Sequence, residues 1–169
     1  MLKKFLWISC LLIACTILST CGGGNGGGSS DYKAAAETVI SVVPGSIDPG
    51  DRSLVSVRIW DVHPDGILLK VRFPLGLSYV KNSGQFEIHS VREIKNPIEN
   101  VSDSENTYLV FFFSGSTFGD NGKDTGTLKF EIQATKASIE GEVEVDPVIR
   151  DLSVPADEQF DISNPLFGA

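Results

Sequence analysis

Beyond residue 21 the chain contains no cysteine: Cys10, Cys15 and Cys21 are all there are. Everything downstream is therefore without disulfides and thiol chemistry, and a domain built there must rely on its hydrophobic core. Histidine is nearly absent as well. His63 and His89 are the only two, 26 residues apart, and no spacing pattern joins them into a metal or catalytic pair. No serine sits in a nucleophile-elbow pattern. A second long apolar run is missing, so no later segment reads as a spanning helix. Helical periodicity is scarce. Basic charge is scarce too: with Lys3 and Lys4 set aside, 12 Lys and Arg face 22 Asp and Glu, a net charge of −10. Such a domain repels phosphates, so neither nucleic acid nor anionic lipid is an expected partner.

The chain opens on MLKKFLWISCLLIACTILSTC. Lys3 and Lys4 form a basic n-region, and residues 5–18 a mostly apolar run. The run is short of the roughly 20 residues a spanning helix needs and has the length of a signal-peptide core. Leu18, Ser19, Thr20 and Cys21 follow, and glycine then takes over. The quartet resembles the lipobox of bacterial lipoproteins, an aliphatic residue and two small residues before a cysteine. That resemblance implies cleavage after Thr20 and a diacylglycerol thioether, with acyl chains such as palmitate, on Cys21. Thr20 stands where the family prefers Gly or Ala. Leu12-Ile13-Ala14-Cys15 is an internal alternative, which would make Cys15 the lipidated residue. Two acyl chains anchor stably, where one holds only marginally. The implied location is the bacterial cell envelope, at the outer membrane or cell surface.

GGGNGGGSS, residues 22–30, lacks the Lys-Ser/Thr of a phosphate-binding loop, and no strand precedes it. It reads as a flexible tether with a root-mean-square span of ~16 Å. Residues 31–37 (DYKAAAE) suit either one helical turn or an extension of that tether. The organisation is then a signal peptide over 1–20, a lipidated cysteine and tether over 21–37, a β domain over 38–154 and a tail over 155–169.

From Thr38 onward the pattern has period two. Residues 38–43 are β-branched and end at Pro44-Gly45. Val55, Val57 and Ile59 alternate with Ser56 and Arg58; Leu69, Val71 and Phe73 alternate with Lys70 and Arg72. Leu128, Phe130 and Ile132 alternate with Lys129, Glu131 and Gln133. Each set predicts a half-buried antiparallel strand. Shorter strands are expected at 77–80, 86–89 and 143–145, and a last one near 151–154. Residues 94–105 read as a polar loop with a weak edge strand. Residues 108–113 (YLVFFF) do not alternate, which predicts a central strand covered on both faces. Many short strands with turn signals every 8–12 residues predict an all-β, antiparallel two-sheet sandwich. Trp60, off the inward register, either caps the core or sits exposed.

Three segments resemble the cohesin-type branch of Ig-like jelly rolls. They are the strand–turn–strand of 39–57, the Gly-led strand of 66–79 that runs past Phe73 to Tyr79, and Asp124-Thr125-Gly126-Thr127-Leu128-Lys129-Phe130. The resemblance covers residues 38–151 and implies a sandwich that binds proteins on one sheet face. It carries over no contact residue.

Candidate chemistry is sparse. Asp120, Asn121 and Asp124 are hard oxygen donors in a Gly-rich loop, which suits calcium; the spacing is not that of an EF-hand, and Lys123 intervenes. No other cofactor is expected. Phe118, in the same loop, reads as an exposed contact point. Glu140, Glu142, Glu144 and Asp146 read as a solvated strand face. The expected function is a lipid-anchored, non-catalytic module that binds or scaffolds an envelope or extracellular protein. The alternatives are a structural accessory subunit of an envelope or secretion assembly, and a carbohydrate-binding or adhesion module that recognises polysaccharide.

Overall fold

The computed structural model describes residues 35–137 and 141–165. Cys15, Cys21 and the Gly tether lie outside the described residues. In chain order the strands are β1 (Glu37–Val43), β2 (Arg52–Trp60), β3 (Ile67–Pro74), β4 (Leu77–Tyr79), β5 (Gln85–Ile88), β6 (Val91–Ile94), β7 (Glu99–Ser102), β8 (Asn106–Phe113), β9 (Gly126–Ala134) and β10 (Glu144–Ile149). They form two sheets. One runs β1-β2-β9-β5-β6, with β4 also on β9; the other runs β10-β3-β8-β7. All these strand pairs are antiparallel. The molecule is an all-β two-sheet sandwich. Among the described residues no helix is long and apolar enough to cross a membrane.

The inward registers read from alternation hold. Val55, Val57, Ile59, Leu128, Phe130 and Ile132 of one sheet face Leu69, Val71, Phe73, Leu109, Phe111 and Phe113 of the other, each at most 1% exposed. The rings of Phe111 and Phe130 meet across the sheets at 5.5 Å between centroids. Phe86, Phe113 and Phe118 form a second cluster, with centroids 4.8–5.9 Å apart. Gly126 makes room for it: a Cβ there would run into the rings of Phe86 and Phe118. Strand β8 is central and buried on both faces, as its unbroken apolar run requires.

Several expectations are corrected. Phe118 is fully buried, because a 3₁₀ turn over Gly115–Phe118 folds the loop back under the core. Ala36 is 6% exposed within the core and β1 starts at Glu37, so no helical turn intervenes at residues 35–37. The polar stretch after Ile88 contains two strands. β7 is the expected edge strand; β6 was not expected, and it pairs with β5 through a two-residue loop, His89-Ser90, with φ of 49° and 64°. Both values lie in the left-handed region a type I′ turn demands, where Asn-Gly is the usual signal.

No strand forms at 151–154. Asp151 Oδ1 instead accepts from the N–H and Oγ–H of Ser153 at 2.8 and 2.6 Å, closing a turn. The same turn recurs ten residues on: Asp161 Oδ1 accepts from the N–H and Oγ–H of Ser163 at 2.8 and 2.7 Å. The segments DLSVP (151–155) and DISNP (161–165) are thus a short structural repeat. Between them a 3₁₀ turn spans Ala156–Glu158.

The Phe111–Phe130 contact sets the expected scale for core damage. Phe130→Ala should lower the unfolding free energy by about 3–5 kcal/mol in urea titration. Lys129→Ala, beside it but outward and 3.9 Å from Glu87, should cost less than about 1 kcal/mol.

Candidate functional site

Three regions gather chemically active side chains. The first is the loop between β8 and β9. Gly122 adopts φ +66° and its carbonyl accepts from Val62 N–H at 2.8 Å. A Cβ at this position would strike the Val62 carbonyl oxygen. The loop is thereby pressed onto the segment after β2, and Lys123 Nζ reaches Asp61 Oδ1. Asp124 N–H donates to Phe118 O at 3.0 Å, and its Oδ2 lies 3.2 Å from His89 Nε2. Asp120 and Asn121 are exposed at the tip. Among the described residues no group of three or more His, Cys, Asp or Glu converges as a metal set. A calcium ion on Asp120, Asn121 and Asp124 would compete with His89 for the Asp124 carboxylate. The two histidines serve different carboxylates: His63 Nδ1 lies 3.6 Å from Asp65 Oδ2 and accepts from Asp65 N–H at 3.2 Å.

The second region is the β7–β8 hairpin. Asp103 Oδ1 accepts from Glu105 N–H and Asn106 N–H, both at 2.7 Å, and Tyr108 Oη donates to Oδ2 at 2.7 Å. The Asn106 and Glu105 amides, then the Tyr108 hydroxyl, hold this carboxyl below its usual value near 3.8. Burial, reinforced by Asp103, pushes the Tyr108 phenol above 10.

The third region is the outer face of the β10-β3-β8-β7 sheet. Lys70 and Asp146 are directly opposite in the β3–β10 register, with Nζ 2.7 Å from Oδ2. Lys70 is only 7% exposed and also donates to Pro165 O at 3.0 Å. Two register steps away, on the same face, Arg72 Nε donates to Glu144 Oε2 at 2.6 Å. The expected solvated acidic face is corrected here: the segment after β10 folds over the sheet, so Asp146 is half-buried and paired. Glu142 and Glu144 are exposed, and Glu140 lies outside the described residues. Phe160 packs on Tyr108 at 5.7 Å, and the Arg150 guanidinium lies 4.7 Å above the Phe112 ring.

Among the described residues Tyr79, Tyr108 and Trp60 do not assemble into one exposed platform. Tyr108 is 2% exposed on this outer face. Tyr79 packs on Phe130 in the core at 6.2 Å, and Trp60 is half-buried beneath Arg58 at 5.7 Å.

No family model and no curated protein matches the chain. Among solved structures it is similar to the T6 backbone pilin of serotype M6 Streptococcus pyogenes, which has a modular three-domain structure decorated with variable loops and extensions; identity is 12% and the TM-score 0.42. The match covers 63% of this chain and 27% of the pilin, so it spans about a quarter of that protein's length.

Two predictions follow from the loop and the hairpin. Gly122→Ala should destabilise the fold by about 1–3 kcal/mol through backbone strain, read as a lowered thermal midpoint. The Asp103 contribution to stability is complete above pH 3.8 and disappears as pH falls through its lower folded value. The Tyr108 contribution is complete below pH 10 and disappears as pH rises through its higher folded value. Asp103→Asn should therefore lose less of its thermal midpoint between about pH 5 and pH 2 than the wild type does. An unchanged acid slope would count against this assignment.

Proposed function

We propose that the protein is a lipid-anchored, extracytoplasmic β-sandwich that acts as a non-catalytic binding or scaffolding module for another protein of the cell envelope. The juxtaposition of tether and fold carries this reading. The Gly/Ser stretch of residues 22–30 follows the lipobox-like Leu18-Ser19-Thr20-Cys21, and by Ala36 the chain is already in the hydrophobic core. The sandwich thus begins only a few residues after a Gly/Ser-rich stretch that follows an acylatable cysteine. A diacylated cysteine at that place would hold the folded domain at a membrane. The cohesin-type resemblance adds a sheet face as the binding surface.

A second reading, an accessory subunit of a larger envelope assembly, draws on β6. This edge strand is exposed throughout, with Val91 at 65% and Ile94 at 73% exposure. Exposed apolar edges invite strand addition from a neighbour. Stoichiometry separates the two: pull-down from detergent-solubilised membranes recovers one discrete partner for a binding module and a large multi-subunit complex for an accessory subunit.

Anchoring has its own test. Cys21→Ala should abolish palmitate labelling and either release the domain from membranes or block processing of the precursor. Unchanged size and membrane retention would refute it. Labelling that survives Cys21→Ala and disappears in Cys15→Ala would move the anchor to Cys15.

A further inference from the structure

The segment after β10 does not lie flat on the outer face of the β10-β3-β8-β7 sheet. It leaves a groove of about 780 Å³. Leu68, Val148 and Ile149 of the sheet and Val154, Phe160 and Pro165 of the covering segment line it with apolar surface. On the floor Lys70 and Asp146 neutralise each other at 2.7 Å. The remaining charges lining the groove are all acidic: Asp151, Glu158 and Asp161. Among the described residues none of these three forms an ion pair. Two of them are held in place, because Asp151 and Asp161 open the repeated turns and each accepts two hydrogen bonds from the serine two residues on.

We propose that this groove is a docking site for a basic peptide segment of a protein partner, with an aliphatic or aromatic side chain on the apolar floor and lysine or arginine side chains against the three rim carboxylates. Charge complementarity selects this occupant. An anionic or neutral polar segment would leave the rim unopposed, and a cation without apolar surface would leave the floor wet. The volume suits a few side chains of an extended segment rather than a folded domain. The hydrogen bonds from Ser153 and Ser163 hold the Asp151 and Asp161 carboxyls below the usual range, so these two keep their charge through mildly acidic pH. The inference rests on the protein-binding role proposed above and names the surface and the chemistry of the partner.

The test uses the full chain in detergent and three fluorescein-labelled hexapeptides, alternating Lys-Leu, Glu-Leu and Lys-Ser, read by fluorescence anisotropy. The Lys-Leu peptide should bind, and more weakly as salt rises. The other two should bind at least about tenfold more weakly, since each lacks one half of the match. The variant Asp151→Asn/Glu158→Gln/Asp161→Asn keeps the side-chain acceptor oxygens and removes the charge; it should lose about tenfold in Lys-Leu affinity while still unfolding in one cooperative thermal transition. Asp48→Asn/Asp51→Asn/Glu93→Gln, the same charge change elsewhere on the surface, should bind as the wild type does. Equal binding of Lys-Leu and Lys-Ser, equal loss in both triple variants, or no binding by the wild type overturns the proposal. A chain ending at Pro165 that binds Lys-Leu where the full chain does not would assign the groove to residues 166–169 and overturn it as well. Co-purification keeps the two levels apart. A partner recovered equally by wild type and groove variant removes the groove and leaves the binding role standing. Peptide binding without any co-purifying partner keeps the site and removes the role.

Discussion

The contact on which the rest of the molecule depends is the packing of phenylalanines between the two sheets. Without cysteines downstream of residue 21, no disulfide joins the sheets. Phe111 on Phe130, and Phe86 with Phe113 and Phe118, do that work. Burying one such side chain contributes about 1.5–3 kcal/mol, and a well-placed ring pair adds roughly 0.5–1.5 kcal/mol. The exposed cross-strand ion pairs, Arg52 with Glu131 or Arg92 with Glu87, contribute about 0–1 kcal/mol each. The aromatic core therefore sets the strand registers, and the surface charges decorate a fold already decided. Lys95 shows the core reaching its boundary. Its ammonium sits 4.8 Å over the Phe113 ring, and burial pulls its pKa below the usual lysine value despite the nearby Glu93.

The second constraint is the Lys70–Asp146 pair. A lysine this buried must be paired, because a lone ammonium in such a place costs several kcal/mol. Asp146 opposite it and the Pro165 carbonyl above it meet that need together. The pair therefore ties the segment after β10 to the sheet as well as β10 to β3. It also explains why β8 is buried on both faces: Tyr108 is covered by Phe160, and Phe112 by Arg150. The outer face of this sheet is thus partly built from chain that follows the last strand.

How much of this was legible in the sequence depends on whether a residue's fate is decided locally. Val55, Val57 and Ile59, or Leu128, Phe130 and Ile132, announce their faces by alternation, since strand geometry alone sends neighbours to opposite sides. The YLVFFF run announced a doubly covered strand, although not what covers its second face. The burial of Phe118 is not legible because a loop residue has no periodicity; only the 3₁₀ turn that returns it to the core decides it. β6 stayed hidden because His89 and Ser90 are unusual in a turn that needs two positive φ values. Asp146 looked solvated because its burial comes from residues some twenty positions later. The candidate groove was invisible for the same reason. The Asp-x-Ser-x-Pro repeat was present in the sequence, but its two copies acquire meaning only when both turns rim one cavity.

These features bear on how an acidic domain meets a partner. The net charge of −10 beyond the leader repels an anionic membrane surface. At physiological salt that repulsion decays over about 8 Å. The same charge attracts a basic segment from every direction and raises its encounter rate without choosing a landing site. Selection must then come from a place where unopposed carboxylates border apolar surface. The edge strand β6 offers apolar side chains, but its Arg92 is already paired with Glu87. At the β8–β9 loop, Asp124 faces His89 and Asp61 faces Lys123. In the groove, Asp151, Glu158 and Asp161 remain unmatched beside an apolar floor, so long-range attraction and short-range fit point to the same surface.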